Sequence, residues 1–159
     1  MPTSDFFLLS FELHFARLHE RSCEIIQKTP TDKLYWQPFE KDALFPINSC
    51  GEYILRSAGK IEQTFGGITT KLWDDPFEWT LPEQLHNNQL ILEYLAEVEA
   101  TRQRGFTFFK TDEDLKKTLP APIKIISLFE LLLDTITIAE NYQGRAITVF
   151  QQFSAEKSL

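Results

Sequence analysis

Glu52, Arg56 and Lys60 stand four residues apart, a spacing that puts an acid and two cations on one face of a helix. Such a row has two uses. It can be a solvated ladder, an opposite-charge pair in it contributing roughly 0.2–0.5 kcal/mol. Alternatively, Arg56 can serve as the positive centre of a pocket and grip an anionic group. The apolar positions Ile54, Ala58, Ile61 and Phe65 run opposite Arg56 on the same helix, which favours the ladder. Ile138 and Tyr142 repeat the four-residue step near the other end of the chain, with Glu140 and Asn141 beside them. The Tyr142 hydroxyl and the Glu140 carboxyl are groups able to move a proton. Their plainer roles are a core tyrosine with a satisfied hydroxyl and a solvated acid.

The remaining reactive side chains point to less. His14 falls among apolar residues and is either a ligand or general base in the interior, or a boundary histidine bonded to a neighbour. His19, Glu20 and His86 are expected to face solvent. Cys23 and Cys50 lack metal-type spacing and read as reduced packing residues of a cytoplasmic protein. Asp74-Asp75 precedes Pro76 and suits a turn better than a cation site, which needs a wider set of oxygens. No Ser-His-Asp order, glycine-rich phosphate loop or paired-cysteine motif occurs.

Four helical stretches must position these groups. The first is expected from about Thr3 to Lys28, with Phe7, Phe11, His14, Phe15, Leu18, Ser22, Ile25 and Ile26 on one face, stopped by Thr29-Pro30. Leu34 to Phe39 then crosses in extended form. The second begins at Ser49, which with Glu52 fits a capping box, and is loosened or ended by Gly66-Gly67. An aromatic-rich loop from Thr70 to Trp79 should fold back onto the helices, because leaving Trp73, Phe77 and Trp79 in water would be costly. The third starts near Pro82, capped by Thr80 and Glu83, and runs to about Lys110 along Leu85, Leu92, Leu95, Arg102, Phe106 and Phe109. Thr111 to Leu115 reads as a helical turn and Leu119-Pro120-Ala121-Pro122 as a rigid connector. The fourth spans Ser127 to Phe153, with a seam of Leu128, Leu131, Thr135, Ile138, Tyr142, Ala146, Val149 and Phe153. One all-α domain over residues 1–159, a four-helix bundle with short helical turns in its links, follows from this pattern.

Composition narrows the function classes. The net charge of −7, with no basic stripe, argues against nucleic-acid backbones and anionic membranes. No apolar run reaches membrane-spanning length, and the start lacks a basic leader region, so a cytoplasmic location is expected. Aromatic residues make up 13% of the chain and are mostly Phe, which calls for a bulky core.

Three segments together resemble the DinB/YfiT-like superfamily of metalloenzymes: Leu34-Tyr35-Trp36-Gln37-Pro38, Ser49 to Lys60, and Glu140 to Arg145. The resemblance covers nearly the whole chain as an ordered pattern of elements, and it implies that superfamily's four-helix bundle and a homodimer. It also implies a divalent-metal site built from one histidine of the second helix and two histidines four apart on the last. Carried onto this chain, those positions are Arg56, Ile138 and Tyr142. An isoleucine cannot coordinate, a guanidinium repels a cation, and a tyrosine must first lose its proton. The expectation is therefore a metal-free, cofactor-free pocket, with Arg56, Tyr142, Ile138, Glu140, Tyr53 and His14 as candidate lining and an unidentified small molecule as partner. The competing expectation is an enzyme of the superfamily's thiol-transferase or hydrolase type with an altered site, using Arg56 to hold an anion and Tyr142 or Glu140 to move a proton. A third is a metal site relocated around His14. Excess apolar surface on the first and third helices is the further support for a homodimer.

Overall fold

The computed structural model describes residues 5–38, 44, 47–76 and 80–155. Their order is α1 (Phe6–Lys28), α2 (Cys50–Thr70), α3 (Asn88–Phe106), a two-stranded antiparallel sheet of β1 (Thr118–Pro120) and β2 (Ile125–Ser127), and α4 (Leu128–Ala155). The protein is mainly helical and bundle-like. The α2 helix packs most extensively on α4 and next on α3, while α1 lies against α3 and α4.

Phe11, Phe15, Leu18, Ser22, Ile25 and Ile26 are buried on α1, as their spacing requires. Two members of the expected face are not: His14 is exposed and Phe7 is half-exposed. The face is narrower than the sequence stripe because α1 has helices on only two sides. The expected start at Thr3 lies outside the described residues. Asp112, far along the chain, accepts the Phe7 and Leu8 amides at 3.1 and 2.9 Å, so an acid sits at the positive end of α1. Thr29 turns to extended backbone before Pro30. The crossover is tighter than expected. Thr31–Lys33 forms a 3-10 turn, and Leu34 is fully buried with its carbonyl accepting the Gly51 amide at 2.8 Å.

Ser49 caps α2 by accepting the Glu52 amide at 3.1 Å, while the Glu52 carboxylate pairs with Arg56. Gly66-Gly67 does not end this helix, which runs on to Thr70 and closes with Lys71 in the left-handed region at φ 62°. Gly67 is instead a seat for Trp73. A Cβ there would lie 2.4 Å from the indole ring, so the small residue lets the loop fold back as expected. Phe77 to Trp79 lie outside the described residues.

The third helix begins later than expected. Thr80 donates to the Pro76 carbonyl rather than capping a helix with Glu83, residues 81–85 form a turn, and Asn87 caps α3 by accepting the Leu90 amide. Asn88 donates to the carbonyls of Ile26 and Thr29, both at 2.7 Å, tying the start of α3 to the end of α1. The helix ends at Phe106, four residues short of Lys110. Asp112–Lys116 then makes the expected helical turn, with Thr111 and Asp114 as a reciprocal capping box. A hydrogen bond from Lys117, then those from the Lys110 and Thr111 amides, hold the Asp114 carboxyl down to about 2. The expected connector is a hairpin, in which Leu119 pairs with Ile126 and Pro120 with Ile125. Proline is tolerated there because each strand has a free edge.

Phe15 and Phe65 are fully buried in the core and half-buried Phe106 packs on both, with edge-on and tilted ring contacts between 5.2 and 5.8 Å. Buried hydroxyl and amide side chains pair around it. Thr64 meets Thr135 at 2.7 Å, Ser57 donates to the Ala139 carbonyl at 2.8 Å, and Gln143 donates to the Leu18 carbonyl and Ser22 hydroxyl.

Candidate functional site

From Cys50 to Thr69 no residue of α2 is exposed, because neighbouring elements cover every side of the helix. Four of its five charged or amide residues, Glu52, Arg56, Lys60 and Gln63, mark one half-buried edge at steps of four, four and three. All four are half-buried. Together with Ile138 and Tyr142 of α4 they line a cleft of about 480 Å³. The Glu52–Arg56 ion pair of the ladder is formed, and it lies in the wall of this cleft. The apolar stripe opposite Arg56 is core, and the Arg56 side is partly covered by α4 and the loops.

Those loops form the outer wall. Tyr35 lines the cleft and donates from its hydroxyl to the Leu85 carbonyl at 2.5 Å, fixing the 81–85 turn beside it. Burial, and then the charges of Glu52 and Glu83, push that hydroxyl up to about 12, so it stays a donor at neutral pH. Pro76 approaches so closely that a Cβ at Gly59 would be 3.0 Å from its ring; Gly59 therefore sets the cleft width on that side. Leu55, Leu81 and Pro82 add apolar wall.

The charges are arranged unequally. Arg56 Nη2 bonds to Glu52 Oε1 at 3.1 Å, with both side chains partly covered. Lys60 takes part in none of the ion pairs among the described residues. Its Nζ is 3.5 Å from Gln63 Oε1, and Gln63 Nε2 donates to the Trp73 carbonyl at 3.2 Å. A carbonyl only accepts and an ammonium only donates, so this pair of contacts dictates the orientation of the Gln63 amide.

Three of the six candidate residues named from the sequence, Arg56, Ile138 and Tyr142, line the cleft. Tyr53 is buried behind it. Its ring stacks on Tyr142 with centroids 6.4 Å apart, and its hydroxyl accepts the Asn48 amide at 3.1 Å. Arg145 lies over both rings at 5.9 and 6.0 Å, a cation–π clamp that holds Tyr142 against α2. Glu140 turns the other way and meets Arg21 of α1 at 3.5 Å, so it cannot share a proton-transfer role with Arg56 in the cleft. Exposed His14 is far from an interior base or ligand. His86 is exposed as expected, whereas half-buried His19 contacts the Cys23 sulfur at 3.7 Å.

The cleft residues do not fit the divalent metal that the resemblance implies. Its donor positions hold a guanidinium and an aliphatic side chain, and Tyr142 alone supplies no chelate. Among the described residues, no three His, Cys, Asp or Glu side chains are arranged to hold an ion. Sequence reasoning missed Tyr35, Gln63, Pro76, Leu81 and Pro82 as wall residues. Only Gln63 left a signal, because it continues the 52–56–60 row by a further helical step.

The class these observations define is a mainly helical protein with an amphipathic cleft between its two most closely packed helices. Compared with family models, curated proteins and solved structures, the chain gives no match in any of the three.

Proposed function

We propose that this protein is a DinB-like bundle that binds a small organic molecule, without a metal, in the cleft between α2 and α4. The carrying observation is that Arg56 of α2 lines one cavity of about 480 Å³ with Ile138 and Tyr142 of α4, far from it in sequence. That size and its mixture of apolar wall with a few polar groups are typical of small-molecule sites. The test is a fragment set of neutral and charged mono- and bicyclic aromatics, screened by amide chemical shifts on labelled protein. Shifts are expected at Leu55, Gly59, Ile138 and Tyr142, and Ile138→Trp, which fills the cavity, should abolish them. No fragment at these amides, or binding untouched by Ile138→Trp, would overturn the reading.

A homodimer is the second part of the proposal, on a different observation. Phe6, Leu9 and Leu13 share one face of α1 and are each more than 60% exposed. Contacts of Phe6 with Phe7, and of Phe7 with Phe129, both 5.6 Å between centroids, carry this apolar surface across to α4, where Leu133 is also exposed. The patch is on α1 and α4; α3, the other helix expected to carry it, has no large exposed apolar side chain among its described residues. With about 150–250 Å² for a whole aromatic side chain, the six residues expose roughly 500 Å². That is the upper range for a monomer and most of the ~800 Å² each partner gives to a standard interface. Light scattering should give twice the 18.5 kDa chain mass, and Leu13→Glu should halve it. A monomer at all concentrations would remove this part alone.

A further inference from the structure

We infer that the cleft takes a small monocarboxylate with an apolar, ring-sized body, its carboxylate held by Lys60. This rests on the cleft being a binding site, as proposed above, and adds the chemistry of its ligand.

The charge comes from the cleft's own balance. Arg56 and Lys60 are its cations, Glu52 and Asp75 its acids. Arg56 is bonded to Glu52, which spends much of its field on a neighbour. Lys60 reaches the neutral Gln63 oxygen at the long distance of 3.5 Å and belongs to no ion pair of the described residues. A half-buried ammonium with loosely made bonds is a receptor for one negative charge, since an ionised acceptor roughly doubles the strength of a hydrogen bond. A phosphate-like dianion fits worse, because Glu52 and Asp75 line the same space and repel the second charge. A cationic ligand would have to displace or crowd Lys60.

The body of the ligand follows from the walls. Leu55, Ile138, Pro76, Leu81 and Pro82 are apolar, and the Tyr142 ring is held in place by Tyr53 and Arg145. Burying a ring against them supplies affinity that a bare acetate lacks. The Lys60 ammonium is placed by a relay from Trp73 through Gln63, so the anion site and the loop fold are linked.

Three isosteric probes test the inference: 1-naphthoate, 1-naphthamide and 1-naphthylmethylammonium, titrated calorimetrically against the full chain. The naphthoate should bind tightest. Lys60→Gln should weaken it about tenfold, the loss of one charge-assisted bond, and leave the amide within about twofold. Lys60→Arg should restore most of the naphthoate affinity. Equal affinity for the three probes, or a Lys60→Gln effect as large on the amide as on the naphthoate, overturns the carboxylate assignment while the cleft reading stands. Failure of the naphthoate when fragments still enter the cleft does the same. If no fragment enters, both fall. Unchanged thermal unfolding of the Lys60 variants would show that any loss belongs to binding.

Discussion

Arg102→Met will cost about 3–5 kcal/mol of stability, the penalty for leaving a buried charge without its partner. The side chain of Arg102 is 1% exposed, yet it carries a full charge. Its Nε and Nη2 grip the Glu99 carboxylate in a fork, Nη1 pairs with Glu12 at 2.6 Å, and the guanidinium lies over the Phe106 ring at 5.3 Å. Burial opposes the charge, but the two carboxylates outweigh it and hold the guanidinium above its ordinary value. Methionine keeps the apolar stem and removes the guanidinium with its charge and hydrogen bonds. Glu12, 43% exposed, can then be solvated; Glu99, at 15%, cannot. A fall in melting temperature of roughly 10 °C is expected for a chain of this size. Adding Glu99→Gln should return at least about half of it, because the stranded charge and not the lost attraction is the main cost. A loss under about 1 kcal/mol, or no recovery in the double variant, would refute this account. The ion cluster also joins α1 to α3.

Arg102 also shows how far the sequence could be read. Its position among Leu92, Leu95 and Phe106 placed it on the inner edge of α3 from spacing alone, and it is there. Its partner Glu12 was not legible, because that residue comes from a helix ninety residues away in the chain. The same division holds throughout. Periodicity identified four helices, since burying one face is a local property of i, i+3 and i+4 steps. The ends where a cap side chain reaches its own helix were also clear, as at Ser49. The ends that failed were decided by distant contacts or by competing caps. The Gly66-Gly67 stretch stays helical with Trp73 packed on Gly67, and α3 waits for Asn87 because Thr80 bonds back to Pro76. The hairpin at Leu119 was missed because three-residue strands carry too short an alternation to register. At the cleft the spacing of α4 is regular, yet Ile138 is 39% exposed while Ala139 is buried. A seam read from sequence cannot reveal where the facing helix stands off. Arg56, Ile138 and Tyr142 were gathered by a resemblance of ordered motifs; the loop residues that close the space around them had no such guide.

Gly105→Ala will destabilise the protein by about 1–2 kcal/mol, opposite in sign to the change that helix propensity alone would give. In an ordinary helical position alanine gains up to about 1 kcal/mol over glycine. Here a Cβ would lie 2.5 Å from Phe65 Cδ1 and 3.3 Å from two further ring atoms. Phe65 cannot yield cheaply. It is fully buried, with Phe15 at 5.2 Å on one side and Phe106 at 5.6 Å on another. Overpacking of this kind typically costs about 1–3 kcal/mol, enough to outweigh the propensity gain. The contact makes a further, sharper forecast. Phe65→Leu opens space at the same point and destabilises on its own, but in the Gly105→Ala chain the added methyl occupies part of that space. The two changes should therefore couple favourably by about 1 kcal/mol or more in a double-mutant cycle read by chemical denaturation. Additive effects, or a higher melting point for Gly105→Ala alone, would mean that α3 does not pass α2 as closely as the Phe65 ring requires. Because α2 carries the Glu52–Gln63 edge of the cleft on the side away from Phe65, a displaced ring should also shift the Arg56 and Lys60 amides in spectra of Gly105→Ala. That response would connect the tightest packing in the core to the shape of the site.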